Sequence, residues 1–327
     1  MARFSIIIPL FGSTLQFEET LASVLLYRPE QSQVIVVHKG EYSDPYDLGK
    51  EVDFVQLANE DSAQPNLIDM FNTGVRNARG KWIGFIRPGV RLSENWAGSI
   101  EHAFENPEIA AISPVLVRAD RPETIASIGV TKGYGYTRKQ IAGGRRADKA
   151  NRWQSQLLGP TNWAAFYRKS ILNALGDCDA QLDAVYFDLD LGLSIESIKL
   201  GVALAADCRI LLDDLKSFEN ESLRCHGCSA QRGFNRFGVD EDQASGLAVR
   251  SFRWSLLAGV ASLLWRPTGL LHALGRLKAV RFSETDRVHR ELLVILGKQK
   301  ERFIAPGLHR HVLVHQKSQI RTDKRAA

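Results

Sequence analysis

The chain has 327 residues, 44% of them apolar, enough for one large domain with an appendage and a substantial core. Its formal charge of +5 is unevenly placed: residues 248–327 carry 16 Lys+Arg and 5 Asp+Glu, net +11, which leaves −6 on residues 1–247. Four cysteines make no disulfide framework, no apolar run is long enough to span a bilayer, and Met1-Ala2-Arg3-Phe4 enters a strand without a signal-peptide pattern, so the expected compartment is the reducing cytoplasm.

Residues 4–9 read as a buried strand ending at Pro9, and 14–26 as a helix with Phe17, Leu21, Val24 and Leu25 on one face. Strands follow at 33–37 and 52–57, then a helix over 66–79. Residues 82–86, opened by Gly80 and closed by Pro88-Gly89, form another buried strand. Ser93 to Trp96 open a third helix, and 109–117 is again a strand. Alternating strands and helices predict a mostly parallel sheet covered on both faces. The turn after the first strand, Pro9-Leu10-Phe11-Gly12-Ser13, has no Gly-x-Gly-x-x-Gly, and no Walker loop occurs, so the chain lacks the signatures of dinucleotide and P-loop domains.

Residues 118–155 are polar and rich in Gly and Arg, which predicts a long loop or hairpin insertion over the sheet edge, of the kind that carries function. A strand at 162–168, a short helix at 169–175, a helix at 186–199 and a last strand at 202–212 complete the domain. Residues 216–247 read as a connecting loop, and from 248 the pattern is helical: one apolar helix from Phe252 to Leu264, a second over 270–280, and a third capped by Ser283-Glu284-Thr285-Asp286.

In such sheets ligands bind beyond the carboxyl ends of the strands, which puts Arg87-Pro88-Gly89 where chemistry is expected. The first strand, Val34-Ile35-Val36-Val37, and the run from Asn72 through Gly80-Lys81-Trp82-Ile83-Gly84-Phe85 together resemble the N-terminal half of family 2 glycosyltransferases. Tyr186-Phe187-Asp188-Leu189-Asp190-Leu191-Gly192-Leu193, followed by Gly201, is similar to that family's acidic helix start. The resemblance covers roughly residues 4–215 and implies a GT-A fold: 1–215 as the transferase-like domain, interrupted at about 118–155, then the loop at 216–247 and the basic helical region at 248–327. It further implies a nucleotide-sugar donor, a glycan or lipid-linked acceptor, and an acid that acts as general base on the acceptor hydroxyl. Asp188 is the candidate base, with Asp190 in support behind it.

The departures from the family pattern fall on the donor side. Where the family carries acids after the second strand, this chain has His38-Lys39-Gly40-Glu41; where it carries the metal-binding D-x-D, this chain has Arg87-Pro88-Gly89. Without those carboxylates no Mg²⁺ or Mn²⁺ is expected at that turn. Fixed cations substitute in principle, since guanidinium groups bind phosphate oxygens in a fork. The expected donor-binding residues are therefore Pro9, His38, Lys39, Arg87 and Arg91, with no metal ligands and no cofactor. The competing reading is a catalytically inactive GT-A domain that binds a glycan or a partner enzyme.

Cys225-His226-Gly227-Cys228 lacks a second ligand pair for zinc and reads as two thiols in a loop. Trp153, Trp163, Tyr134 and Tyr136 are candidates for stacking on an acceptor sugar or for the core. The basic tail suits an anionic membrane surface at the cytoplasmic face, or a protein partner, while no nucleic-acid recognition motif accompanies its charge.

Overall fold

The computed structural model describes residues 2–40, 42, 44–57, 66–213, 223–238, 269–279 and 283–304, together with Arg253, Leu256, Leu257 and Val260. Its strands are β1 Phe4–Pro9, β2 Ser32–His38, β3 Val52–Gln56, β4 Trp82–Ile86, β5 Val90–Arg91, β6 Ile109–Arg118, β7 Arg121–Ser127, β8 Val130–Lys132, β9 Arg138–Gln140, β10 Ala164–Arg168 and β11 Gly201–Leu212. Its helices are α1 Thr14–Tyr27, α2 Leu67–Asn77, α3 Trp96–Ala103, α4 Lys169–Leu175, α5 Phe187–Ser197, α6 Leu223–Phe237, α7 Gly269–Lys278, α8 Glu284–Lys298 and the single turn α9 Glu301–Ile304.

Among the described residues nine strands form one sheet in the order β3-β2-β1-β4-β10-β6-β11-β5, with β7 on β6. The expected parallel pairing holds for β3-β2-β1-β4 and for β6-β11. β10 enters antiparallel between β4 and β6, and β5, a strand of two residues with no apolar pattern to reveal it, pairs antiparallel with the end of β11. Side chains alternate across the sheet as a period of two requires. Phe4, Ile6 and Ile8 pack with Phe17 of α1 and Trp96 of α3, whereas Ile7 packs with Phe71 of α2 and Ile195 of α5. Both faces are covered, which is why β1 is buried at every position.

The insertion at 118–155 is a structured unit, closer to the hairpin expectation than to a loop. β7 pairs with β6, β8 with β9, and 3-10 segments at Tyr134–Tyr136 and Ala147–Gln156 join a small core around Val115, Ile125, Ile128 and Ile141.

The connecting loop expected over 216–247 is corrected in part: 223–237 is the helix α6, and Cys225 and Cys228 stand on it. Polar residues hid it. Its inward face carries Gln231, Asn235 and Arg236, all buried, beside Ala230 and Phe234. α8 starts at the capping box the sequence shows: the Asp286 amide donates to Ser283 Oγ at 3.1 Å and the Ser283 amide to Asp286 Oδ2 at 3.3 Å. The expected helix over 252–264 lies largely outside the described residues, as does the run from 305 onward. Among the described residues no helix is long and apolar enough to cross a membrane.

Candidate functional site

The parallel register of β2, β1 and β4 brings four predicted residues to one sheet edge: Pro9 ends β1, His38 ends β2 with Lys39 just beyond it, and Arg87 follows β4. Arg87 opens a tight turn. Pro88 fixes the first corner, Gly89 takes the second at φ 86°, and the Val90 amide closes it on the Arg87 carbonyl at 3.1 Å. The turn is fastened on three sides. The Arg87 amide donates to Trp163 O at 2.9 Å, the Gly89 amide to Thr20 Oγ1 at 3.0 Å, and the Asp213 amide to Gly89 O at 2.9 Å.

The Arg87 side chain is buried and its guanidinium lies 5.2 Å from the centre of the Trp163 ring. Burial, then the neighbouring Arg138, lower its pKa to about 10, while Asp188 works in the opposite direction. It is still a cation at neutral pH. The structure thus sets Arg87 and Asp188 within electrostatic reach of one another, across the sequence separation between β4 and α5.

Asp188 stands in the first turn of α5 with its side chain 0% exposed. Its carboxylate does not rest on the helix N-terminus, as expected of a helix-start acid. Arg138 of β9 grips it as a fork, Nε to Oδ1 at 2.9 Å and Nη2 to Oδ2 at 2.7 Å, and the Asn162 amide donates to Oδ2 at 3.0 Å. Burial acts to lower the Arg138 pKa, but the Asp188 carboxylate outweighs it and the net shift is upward. Asp183, in the loop before α5, is pushed up by burial against the opposing pull of His226, whose Nε2 lies 3.2 Å from Oδ2.

The remaining predicted residues do not all join this cluster. His38 accepts a hydrogen bond from the Gly40 amide at its Nδ1, and burial lowers its pKa, so at neutral pH it brings no positive charge to the edge. Lys39 is half-buried at the same strand end. Arg91 sits in β5 and donates to Asp213 Oδ1 at 2.7 Å, an ion pair that holds its charge at the β11 end of the sheet. Asp190 faces the other way along α5 and takes Arg236 Nη1 at 3.0 Å. Trp163 and Tyr136 serve as packing: Trp163 under Arg87, Tyr136 against Phe234 with its hydroxyl donating to Phe237 O. Tyr134 is 64% exposed. Trp153 is partly buried in the insertion's own core.

Sequence reasoning missed Arg138, Asn162, Arg236 and the Asp183–His226 pair. Arg138 lies in the Gly- and Arg-rich insertion, whose composition was its only signal; nothing in the local pattern tells which of its arginines turns inward. A divalent metal does not fit the Arg87–Gly89 turn, since a guanidinium, a proline ring and a glycine offer no side-chain oxygen. Among the described residues no cluster of three or more His, Cys, Asp or Glu is arranged to hold one.

No family model matches the sequence, and no curated protein does. Among solved structures, that of GalNAc-T7 with UDP, GalNAc and Mn²⁺ matches at a TM-score of 0.55 and 10% sequence identity, over 91% of this chain. The fold is similar to that of a GT-A glycosyltransferase. The chain spans 58% of the length of that structure, and at such identity the likeness is one of fold.

Proposed function

We propose that this chain is a family 2-like glycosyltransferase that moves a sugar from a nucleotide-sugar donor to a glycan or lipid-linked acceptor without a divalent metal. The observation that carries the reading is the placement of Arg87 and Arg138 around one carboxylate, Asp188, at the carboxyl-end edge of a GT-A-like sheet. In the reaction the bond between the sugar's anomeric carbon and the diphosphate breaks, and the acceptor oxygen bonds to that carbon. The acceptor proton passes to Asp188, and the charge left on the diphosphate falls to the two guanidinium groups. Arg138 holds Asp188 with the same fork that fits a phosphate. An arriving diphosphate that takes over this fork releases Asp188 as a base, so donor binding and base activation are one event. All four cysteines are free thiols, which suits the cytoplasmic location we propose.

A second reading, a catalytically inactive GT-A domain that binds a glycan or a partner, is favoured by one fact: Asp188 is sealed by Arg138 and Asn162. Calorimetric titration with UDP, GDP and dTDP, first in EDTA and then with Mn²⁺, separates the two. Metal-free binding that weakens about tenfold or more in Arg87→Ala is the expected result. Binding only with Mn²⁺ would refute the metal-free site, and no nucleotide binding at all would leave the second reading standing. If binding is found, Asp188→Asn is expected to keep it and lose turnover.

A further inference from the structure

Helix α7 is turned inside out. Leu271, Leu274 and Leu277 line one of its faces and are 48%, 43% and 43% exposed, whereas Ala273, Gly275 and Arg276 are buried. A helix that faces water does the reverse. The rotation is fixed by backbone contact with α6: a Cβ on Gly275 would lie 1.9 Å from Arg224 O, and one on Gly227 would lie 2.0 Å from His272 O. The buried Arg276 is also tied inward, donating from Nη2 to Gly135 O. The leucine face therefore has no route into the core.

A second group of exposed apolar side chains stands shortly before α7 in the sequence. Leu256, Leu257 and Val260 are 45%, 60% and 54% exposed, so six of the twelve exposed large hydrophobics among the described residues fall between 256 and 277. Besides the buried Arg276, residues 248–283 contain five Arg or Lys, no Asp or Glu, and the tryptophans Trp254 and Trp265. Apolar side chains flanked in the sequence by cations and tryptophans match the chemistry of an anionic lipid surface, where leucines enter the acyl boundary and Arg and Lys meet the headgroups. The same charge argues against a second copy, because a two-fold contact would set like charges face to face.

We infer that the leucine face of α7, with Leu256, Leu257 and Val260, is a membrane-contact surface that lies in the plane of an anionic bilayer. The inference stands apart from glycosyl transfer; if both hold, it brings the site to the surface where a lipid-linked acceptor resides.

The test is flotation of the full chain with phosphatidylcholine vesicles, with and without phosphatidylglycerol, at low and high salt. The wild type is expected to float with the anionic vesicles and less so in high salt. L271S/L274S/L277S is expected to keep its thermal transition, since those side chains are exposed, and to lose roughly 10- to 100-fold in partitioning. Failure of the wild type to float at low salt would overturn the proposal. So would unchanged flotation of the triple variant, which would assign binding to charge alone. A lipid-free dimer that the triple variant dissociates would show the face to be a protein interface instead. None of these readouts depends on nucleotide binding or turnover.

Discussion

Arg236 is the residue whose removal tests most directly whether the helical C-terminal region is part of the transferase-like body. It projects from α6 and is 1% exposed. Its Nε donates to Asp286 of α8 at 2.6 Å, its Nη1 to Asp190 of α5 at 3.0 Å, and its Nη2 to Asp179 before α5. One cation thus ties three elements, and it also lines a cavity of about 430 Å³ between α4, α5 and α8 with His289 and Leu292. Arg236→Met fills similar volume and removes the charge. Asp179 retains Arg232 at 2.8 Å, so the loss falls on Asp190 and Asp286, whose side chains are 8% and 1% exposed. Leaving buried carboxylates without their cation costs about 3–5 kcal/mol, which for a chain of this length is roughly 4–7 °C in Tm. The deficit has a definite pH dependence. Burial opposes ionisation of Asp179, but the Gln181 amide and the two arginines hold its pKa below the usual carboxylate value. A depressed carboxyl contributes stability above its unfolded pKa of about 4 and loses it as pH falls through the folded value. The variant lacks one of the two arginines that lower Asp179, so the gap to wild type is expected to be wide at about pH 8 and narrower at about pH 3. Scanning calorimetry at both pH values measures it. A deficit below about 1 kcal/mol at neutral pH, or one equal at the two pH values, would refute the account of Arg236 as a buried charge hub.

Other outcomes follow from the same contacts. Arg138→Gln and Asp188→Asn should each destabilise by about 3–5 kcal/mol, yet the double variant should recover most of it; a urea-denaturation cycle with coupling below about 1 kcal/mol would contradict the sealed pair. Gly89→Ala forces a side chain into φ 86° and is expected to cost about 1–2 kcal/mol in the same assay. Asp183→Asn bears on a carboxyl that burial raises, a group whose stability is full below the unfolded pKa and lost as pH rises through the folded one. The variant should therefore match or exceed wild type in Tm at neutral pH and lose the advantage in acid; a loss at neutral pH would mean the His226 contact outweighs burial.

The sequence by itself determined the alternation of strands and helices, the covered sheet, and the edge to which Pro9, His38, Lys39 and Arg87 come. Each rests on local chemistry: apolar runs, the Pro88-Gly89 turn, and the fact that parallel strands carry their carboxyl ends to one side. The capping box at Ser283 was legible for the same reason, since its partners lie within one turn. What the sequence did not carry was the pairing of charges. Asp188 read as an acid at the start of its helix; the fold gives it to Arg138, fifty residues upstream, because the β8–β9 hairpin lies against α5. Arg91 read as a donor contact and is drawn to Asp213 by the short pairing of β5 with β11. α6 read as loop because the face it buries is polar, and polar residues bury only where distant partners satisfy them, here Asp179, Asp190 and Asp286. α7 read only as a helix over 270–280, and its glycine contact with α6 decides that leucines face outward and Arg276 inward. Local hydrogen bonding and hydrophobic period are written in neighbouring residues, whereas the orientation of a buried charge depends on what the whole chain brings beside it.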